Sequence, residues 1–449
     1  MWYFVAVGLV IIGTYCLFTA VTIFVLKALR KNKKFYYQTG HFIGVSGMLY
    51  RMKQNAVGLA NICILCTMVM VMLSGTLSLY LGTGDMVKEQ YPGNINVEAY
   101  YTPDADDPFQ PDAMLAAQLD YIKSQGIAVT SAQTSQSLSF TAGLLPDGSY
   151  TTDRNAEGIA ATYTAMTFIT ESEYTAVTGE KLDLRPGETA AYGLRGDGLT
   201  FHWVDYENGT DLETITYPVR QKLRDNPHPS PNMIDLVTVV MPDIESIHDV
   251  WEMQSRAYGQ NRSSMLWRAY LDVDCDEDTV YQLKDNYYEA ALAEDFYTGS
   301  GQFNSCSWSL RSDSEEESYG LAGGFLFLGL FLGFIFLMAT VLIIYYKQIS
   351  EGYEDKDRFE IMQKVGLSRA EVKRSIHSQI LMVFFMPITV ASIHIVFDFN
   401  MVEKLLTLFM LHNSTLTALC TLGTVLVFFA VYGVVYVLTA RTYYKIVER

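Results

Sequence analysis

The sequence predicts an α-helical polytopic membrane protein with five spans and a large extracellular α+β domain between spans two and three. Two observations carry this reading: five long, almost uncharged runs, and a sharp partition of charge among the segments that join them. The chain has 449 residues, a formal net charge of −17 and 50% hydrophobic residues, and its apolar residues are gathered in blocks. These blocks cover residues 2–26, 56–82, 319–346, 376–397 and 416–440. Each exceeds the roughly 20 residues a helix needs to cross the hydrocarbon core. Backbone amides in lipid must pair within the segment, so helix is the expected state of all five.

Charge fixes the expected orientation. Residues 27–55 carry Lys27, Arg30, Lys31, Lys33, Lys34, Arg51 and Lys53 and no acid. Residues 347–375 include Lys347, Lys356, Arg358, Lys364, Arg369, Lys373 and Arg374, and the tail 441–449 adds Arg441, Lys445 and Arg449. The positive-inside rule makes these three segments cytoplasmic. Residues 83–318 then lie outside, with the short loop 398–415. That block holds 40 of the 49 acidic residues but 14 of the 32 basic ones, a charge of −26 against +9 for the rest. Span one starts almost at Met1 with no charged leader, so the odd span count predicts a further membrane partner supplying an upstream half.

Taken in order, "GVSGMLYRMKQNA" (44–56) sets Met48, Leu49, Met52 and Ala56 on one helical face, with Arg51 and Lys53 turned away. It is expected as an amphipathic elbow on the inner leaflet. In the external block, 94–101, 161–170, 199–206, 232–241 and 264–273 read as strands. Residues 111–126, 242–259 and 277–296 read as helices, the first opened by Pro111 and closed by Gly126. A mixed block of this length is in the size range of one core. Its acidity fits either attraction of cationic peptides or simple solubility.

Span three carries two G-xxx-G pairs, Gly320 with Gly324 and Gly329 with Gly333, a spacing that lets another helix approach closely. Packing against a span of the same chain is the expected use. Pro387 should kink span four, and His394 and Asp398 lie near its outer end. Cys63 and Cys66 form a CxxC in the middle of span two, where apolar packing is the expected role. Cys275 and Cys306 both fall outside and either pair or remain free thiols.

Residues 364–375, "KVGLSRAEVKRS", look like two helices joined at Gly366, with Ser368 and Glu371 forming a capping box. A DNA-reading helix-turn-helix has this appearance, but here the second helix runs directly into span four. It has no freedom to lie along a groove, so nucleic acid is excluded as a partner. What remains is a stiff, turn-capped lever. Its expected ATPase-facing tip comprises Arg358, Phe359, Glu360, Met362, Lys364, Val365, Gly366, Leu367 and Ser368, with Glu371 completing the cap.

The chain carries no G-x-x-x-x-G-K-[ST], H-E-x-x-H or G-x-S-x-G, and no enzymatic activity or cofactor is expected. The acidic run "DVDCDED" (272–278) has Asp272, Asp274 and Asp276 at EF-hand spacing. Glu277 and Leu283 stand where that loop requires glycine and glutamate, so an acidic helix start is the better reading.

Residues 32–65 and 351–388 together with the span pattern resemble the permease subunits of bacitracin-resistance-type ABC transporters, in the FtsX-like and MacB-like permease superfamily. The resemblance covers the membrane parts and corresponds to the C-terminal half of such a permease; the external block matches in size and position. It implies a separate cytoplasmic ABC ATPase that drives the spans. It further implies an external domain that meets a peptide antibiotic or its complex with a cell-wall lipid, and a membrane histidine kinase as a further partner. A division-type FtsX-like regulator of cell-wall hydrolases and a stand-alone membrane receptor are the alternatives.

Overall fold

A computed structural model describes the chain except residues 1, 32–38, 157–162, 196–197, 225, 227–234, 294, 365–368 and 448–449. Over 39–55 and 369–380, and at 357–360, 362 and 363, only the backbone is described. The chain divides into two units. One comprises Met1–Gly82, Tyr319–Thr407 and Leu411–Arg449, and the other Thr83–Ser318 with Leu408–Met410.

The first unit is built from helices. Helix α1 (Trp2–Cys16) passes through one π turn (Leu17–Val21) into α2 (Thr22–Lys31). Helix α3 (Thr39–Gln90) takes in residues 44–56 without a break before the apolar run. Among the described residues, five helical segments are long and apolar enough to cross a membrane: Val5–Ala28, Ala56–Gln90, Arg311–Glu354, Phe384–Thr407 and Ser414–Tyr443. Leu59, Ile62, Cys63, Val69, Ile388 and Phe428 are among the buried residues of their common core. The outer faces are apolar too: Phe327, Phe334, Phe397 and Val427 are all more than 60% exposed. Exposed apolar surface on this scale marks contact with lipid or with another protein.

The second unit contains helices α4 (Pro111–Ser124), α5 (Glu171–Thr178), α6 (Ile244–Tyr258) and α7 (Glu277–Ala290). Its strands are β1 (Ile95–Tyr101), β2 (Val129–Leu144), β3 (Tyr150–Thr151), β4 (Tyr163–Thr170), β5 (Thr189–Tyr192) and β6 (Leu199–Val204). They continue with β7 (Asp211–Tyr217), β8 (Val219–Lys222), β9 (Asp235–Met241), β10 (Met265–Val273) and β11 (Ser305–Leu310). The strands form one sheet in the order β11-β1-β10-β2-β4-β9-β5-β8, with β3, β6 and β7 branching from β2. Alternation sorts its faces, as the period of two requires. Ile95, Val97, Trp267 and Leu271 turn into the main core, where Met114, Ile122, Trp251 and Tyr287 of the helices meet them. On the opposite face a smaller cluster of Ile169, Tyr174, Leu182 and Val240 seats α5.

Caps stop and start these helices. Asp243 Oδ1 accepts from the Ser246 amide at 2.8 Å, and Asp276 Oδ1 from the Thr279 amide at 2.9 Å. The Ser246 hydroxyl and amide at Asp243, and the Thr279 amide and hydroxyl at Asp276, hold both carboxyls below the usual carboxylate range. The run 272–278 therefore ends in an N-cap. Helix α7 stops at Ala290, short of the predicted 296. Cys275 and Cys306 are both free thiols. Burial raises the Cys306 pKa, and its sulfur lies 3.4 Å from the Tyr287 hydroxyl.

Helix α8 (Arg311–Lys364) follows β11. The first and last strands of the unit pair with each other, from Ile95↔Leu310 to Tyr100↔Ser305. Arg311 closes this junction. Its amide donates to Asn94 O at 3.1 Å, and its guanidinium donates to Tyr91 O at 2.7 Å and to Pro92 O. Asp272 stands 3.7 Å away and accepts from the Asn94 amide at 3.1 Å. Removing the guanidinium takes a donor from the carbonyls of Tyr91 and Pro92 and the cation from beside Asp272. Arg311→Ala should destabilise this unit by about 2 kcal/mol, the scale of a lost charged hydrogen-bond set. Arg311→Lys should recover only part, because an ammonium lacks the planar fork. Urea unfolding followed by tryptophan emission reads this, since Trp203, Trp251, Trp267 and Trp308 all lie in the unit. An unchanged midpoint in Arg311→Ala would show that strand pairing alone holds the junction.

Candidate functional site

Three places bear on function: the segment between α8 and α9, the packing of α8 in the helical unit, and a groove on the sheet. Helix α9 (Arg369–Thr407) and helix α10 (Ser414–Val447) complete the fold. Arg358, Phe359, Glu360, Met362 and Lys364 lie in the last turns of α8, and Glu371 lies in the first turn of α9. Val365, Gly366, Leu367 and Ser368, the turn and its cap, lie outside the described residues. Pro387 lies inside α9, which runs on to Thr407 and so makes much of the predicted loop 398–415 helical.

The glycines of span three divide into two pairs. A Cβ at Gly329 would stand 2.7 Å from Thr76 Oγ1, and one at Gly333 would stand 3.5 Å from Leu73 and Val69 side chains of α3. Gly320 and Gly324 face open space, whereas Gly323 faces Tyr80. The contact between α8 and α3 thus runs through 323, 329 and 333. Close approach of this kind depends on the missing side chain.

Sequence reasoning missed a polar cluster in the same unit. Lys347, Gln348 and Glu351 share one face of α8 and, with Tyr432, Phe384, Leu59 and Ile62, enclose a cavity of about 20 Å³. Gln348 and Glu351 are 8% and 9% exposed, and the Tyr432 hydroxyl and Gln348 Oε1 have no hydrogen-bond partner among the described residues. That volume suits a single water. The signal was the i, i+1, i+4 spacing; Lys347 read instead as the first cytoplasmic charge.

The third place is a groove of about 870 Å³ on the sheet face opposite the main core, bordered by α5 and by residues 88–92. Register lays polar side chains across four strands in two rows. One runs Ser307, Glu98, Arg268, Ser135; the next runs Ser309, Asn96, Tyr270, Gln133. Arg268 Nε donates to Glu98 Oε1 at 2.8 Å, so the central charges satisfy each other. Burial raises the Tyr270 pKa and keeps the phenol neutral.

Five long apolar helices joined to a folded, strongly acidic unit fit a multi-pass membrane protein, and the chain is similar to ABC transporter permeases. The chain is 23% identical over 406 residues to the ABC transporter permease protein YxdM of Bacillus subtilis, covering 88% of this chain and 57% of that protein. It is also 30% identical over 83 residues to the bacitracin export permease protein BceB of Halalkalibacterium halodurans, covering 18% of this chain and 12% of that one. The chain thus spans 57% of the length of the YxdM permease it matches. No protein-family model matches it. These homologues support a bacitracin-type ABC permease, a transporter class rather than an enzyme class.

The glycine contacts set a comparison within one helix. Gly329→Val drives a branched side chain into Thr76 and should lower the thermal midpoint of the detergent-solubilised chain by several degrees, as overpacking costs about 1–3 kcal/mol. Gly320→Val meets nothing and should leave the midpoint unchanged. Equal shifts in the two variants would contradict the contact.

Proposed function

We propose that this chain is the FtsX-like permease subunit of an ABC transporter. In this reading a separate cytoplasmic ATPase drives the spans, and residues 83–318 form the extracellular domain that the spans move. The work is peptide-antibiotic resistance and sensing at the cell envelope. A membrane histidine kinase is the partner to which that state is reported. The observation that carries the reading is similarity to a permease over 88% of the chain, joined to its charge partition. A block of charge −26, with the Lys and Arg of the remaining chain gathered mainly in 27–55, 347–375 and 441–449, is what the positive-inside rule expects of an external domain.

Force is proposed to enter through residues 358–371. Phe359, Met362, Val365 and Leu367 would offer apolar contacts to the ATPase beside Arg358, Glu360 and Lys364, and Ser368 with Glu371 would start the helix of span four. Helix α8 is continuous from Arg311 to Lys364, which supports a rigid lever. A β-branched residue at Gly366 would oppose a left-handed turn at a cost of about 1–2 kcal/mol.

The tagged chain, purified from native membranes, should bring down an ABC ATPase. In the complete transporter, Gly366→Val should reach the membrane at the normal level and still retain that ATPase, while antibiotic resistance falls. Absence of any ATPase from the purified complex would remove the permease reading. Full resistance in Gly366→Val would move the coupling point to the segment at 44–56.

A further inference from the structure

We infer that the groove on the open face of the sheet is a binding site for an extended, neutral saccharide. The inference goes beyond the permease reading and does not use the ATPase-coupling segment.

The first ground is size and shape. About 870 Å³ over a floor drawn from five strands lies within the range of ligand-binding clefts. The second is the charge state of the floor. Its only guanidinium is held by Glu98 at 2.8 Å, and Glu173 is buried at 7% exposure. On the floor an anion meets a guanidinium already held by Glu98 and a cation meets a carboxylate already held by Arg268, while Lys88 and Glu89 stand side by side in the bordering segment. An apolar tail would have to cover Ser135, Ser139, Thr141 and Thr167, stripping hydroxyls of water without return.

The third ground is the pattern of neutral groups. Gln133, Ser139, Thr141 and Thr167 offer hydroxyls and an amide, each able both to donate and to accept. Ser139 and Thr167 face each other across β2 and β4 at 3.0 Å. Strand spacing repeats polar positions every ~4.8 Å across the sheet, close to the length of one pyranose ring. A sugar chain presents donors and acceptors at that interval, and its ring faces are apolar. Tyr270, Ala165 and the Ala176–Val177 edge of α5 supply apolar surface beside the polar rows. Alternating hydroxyl contacts and ring-face contacts are what an oligosaccharide needs; a peptide or a phosphate does not match them as well.

The test uses the full chain in lipid nanodiscs and isothermal titration. The probes are the β-1,4-linked tetramers of N-acetylglucosamine and of glucose, inorganic pyrophosphate, and a heptalysine peptide. At least one tetrasaccharide should give saturable heat at or below about 5 mM, the weak end of specific association. Gln133→Ala should weaken it about fivefold, as expected for one lost hydrogen bond. Ser139→Arg, which fills the floor with an exposed side chain, should abolish it with no change in thermal midpoint. The ATPase should still co-purify with both variants, which separates this site from the permease reading. Absence of heat with both sugars overturns the inference. So does saccharide heat that survives Ser139→Arg, or saturation only by pyrophosphate or heptalysine.

Discussion

The antiparallel pairing of β1 with β11 is the constraint on which the sheet unit depends. It brings the beginning and end of 236 intervening residues of chain, residues 83–318, to neighbouring strands. Loop closure over such a length is entropically costly, and the ladder offsets that cost with backbone hydrogen bonds. Arg311 then ties the carbonyls of residues 91 and 92 to the last strand's exit. A unit closed this way can be inserted in a membrane chain without splaying the segments on either side. The sheet's two faces follow from the same ladder: helices cover one, while across β1, β10 and β2 the other keeps its polar rows.

In the helical unit the corresponding constraint is absence of volume. Gly329 and Gly333 let α8 lie against Thr76, Leu73 and Val69 of α3. Buried hydroxyls of this unit such as Thr14, Ser78, Thr340 and Thr424 donate to carbonyls of their own helices, and Lys347, Gln348, Glu351 and Tyr432 lie together around one small cavity. In lipid, polar groups are tolerated where they meet each other or water. Lys347, Gln348 and Glu351 lie on the helix that leads to the proposed coupling segment and face Tyr432 of α10 across that cavity, while the same helix packs on α3 through its glycines.

Much of this was legible in sequence, and the exceptions have physical reasons. Spans and charge partition are large signals, because lipid and the positive-inside rule act on whole segments. The strands read at 161–170 and 264–273 stood out through β-branched and aromatic residues. Strand β2, "VTSAQTSQSLSFTAGL", did not, because its outward positions are serine and threonine and its inward apolar residues come only near the end. Strand β11, "SCSWSL", was hidden in the same way. Those missed strands complete a groove floor that β1, β4 and β10 begin, so the groove as a whole had no sequence signal. It arises from pairing between residues as far apart as Glu98, Ser135 and Arg268. The four-residue glycine pattern marked the right helix but could not say which glycines meet a neighbour. The turn at 365–368 lies outside the described residues, and its role rests on sequence and resemblance.

The central claim is that the acidic sheet unit and the basic connector 347–375 lie on opposite sides of the membrane, as a permease driven from inside requires. Sided labelling tests it most directly. In a chain with all six cysteines replaced, single cysteines would be placed at Asn208, an exposed turn, and at Tyr353, which is 64% exposed on α8. A membrane-impermeant maleimide applied to intact cells should label position 208 at once and position 353 only after permeabilisation. Labelling of position 353 in intact cells, or protection of position 208, would contradict the account.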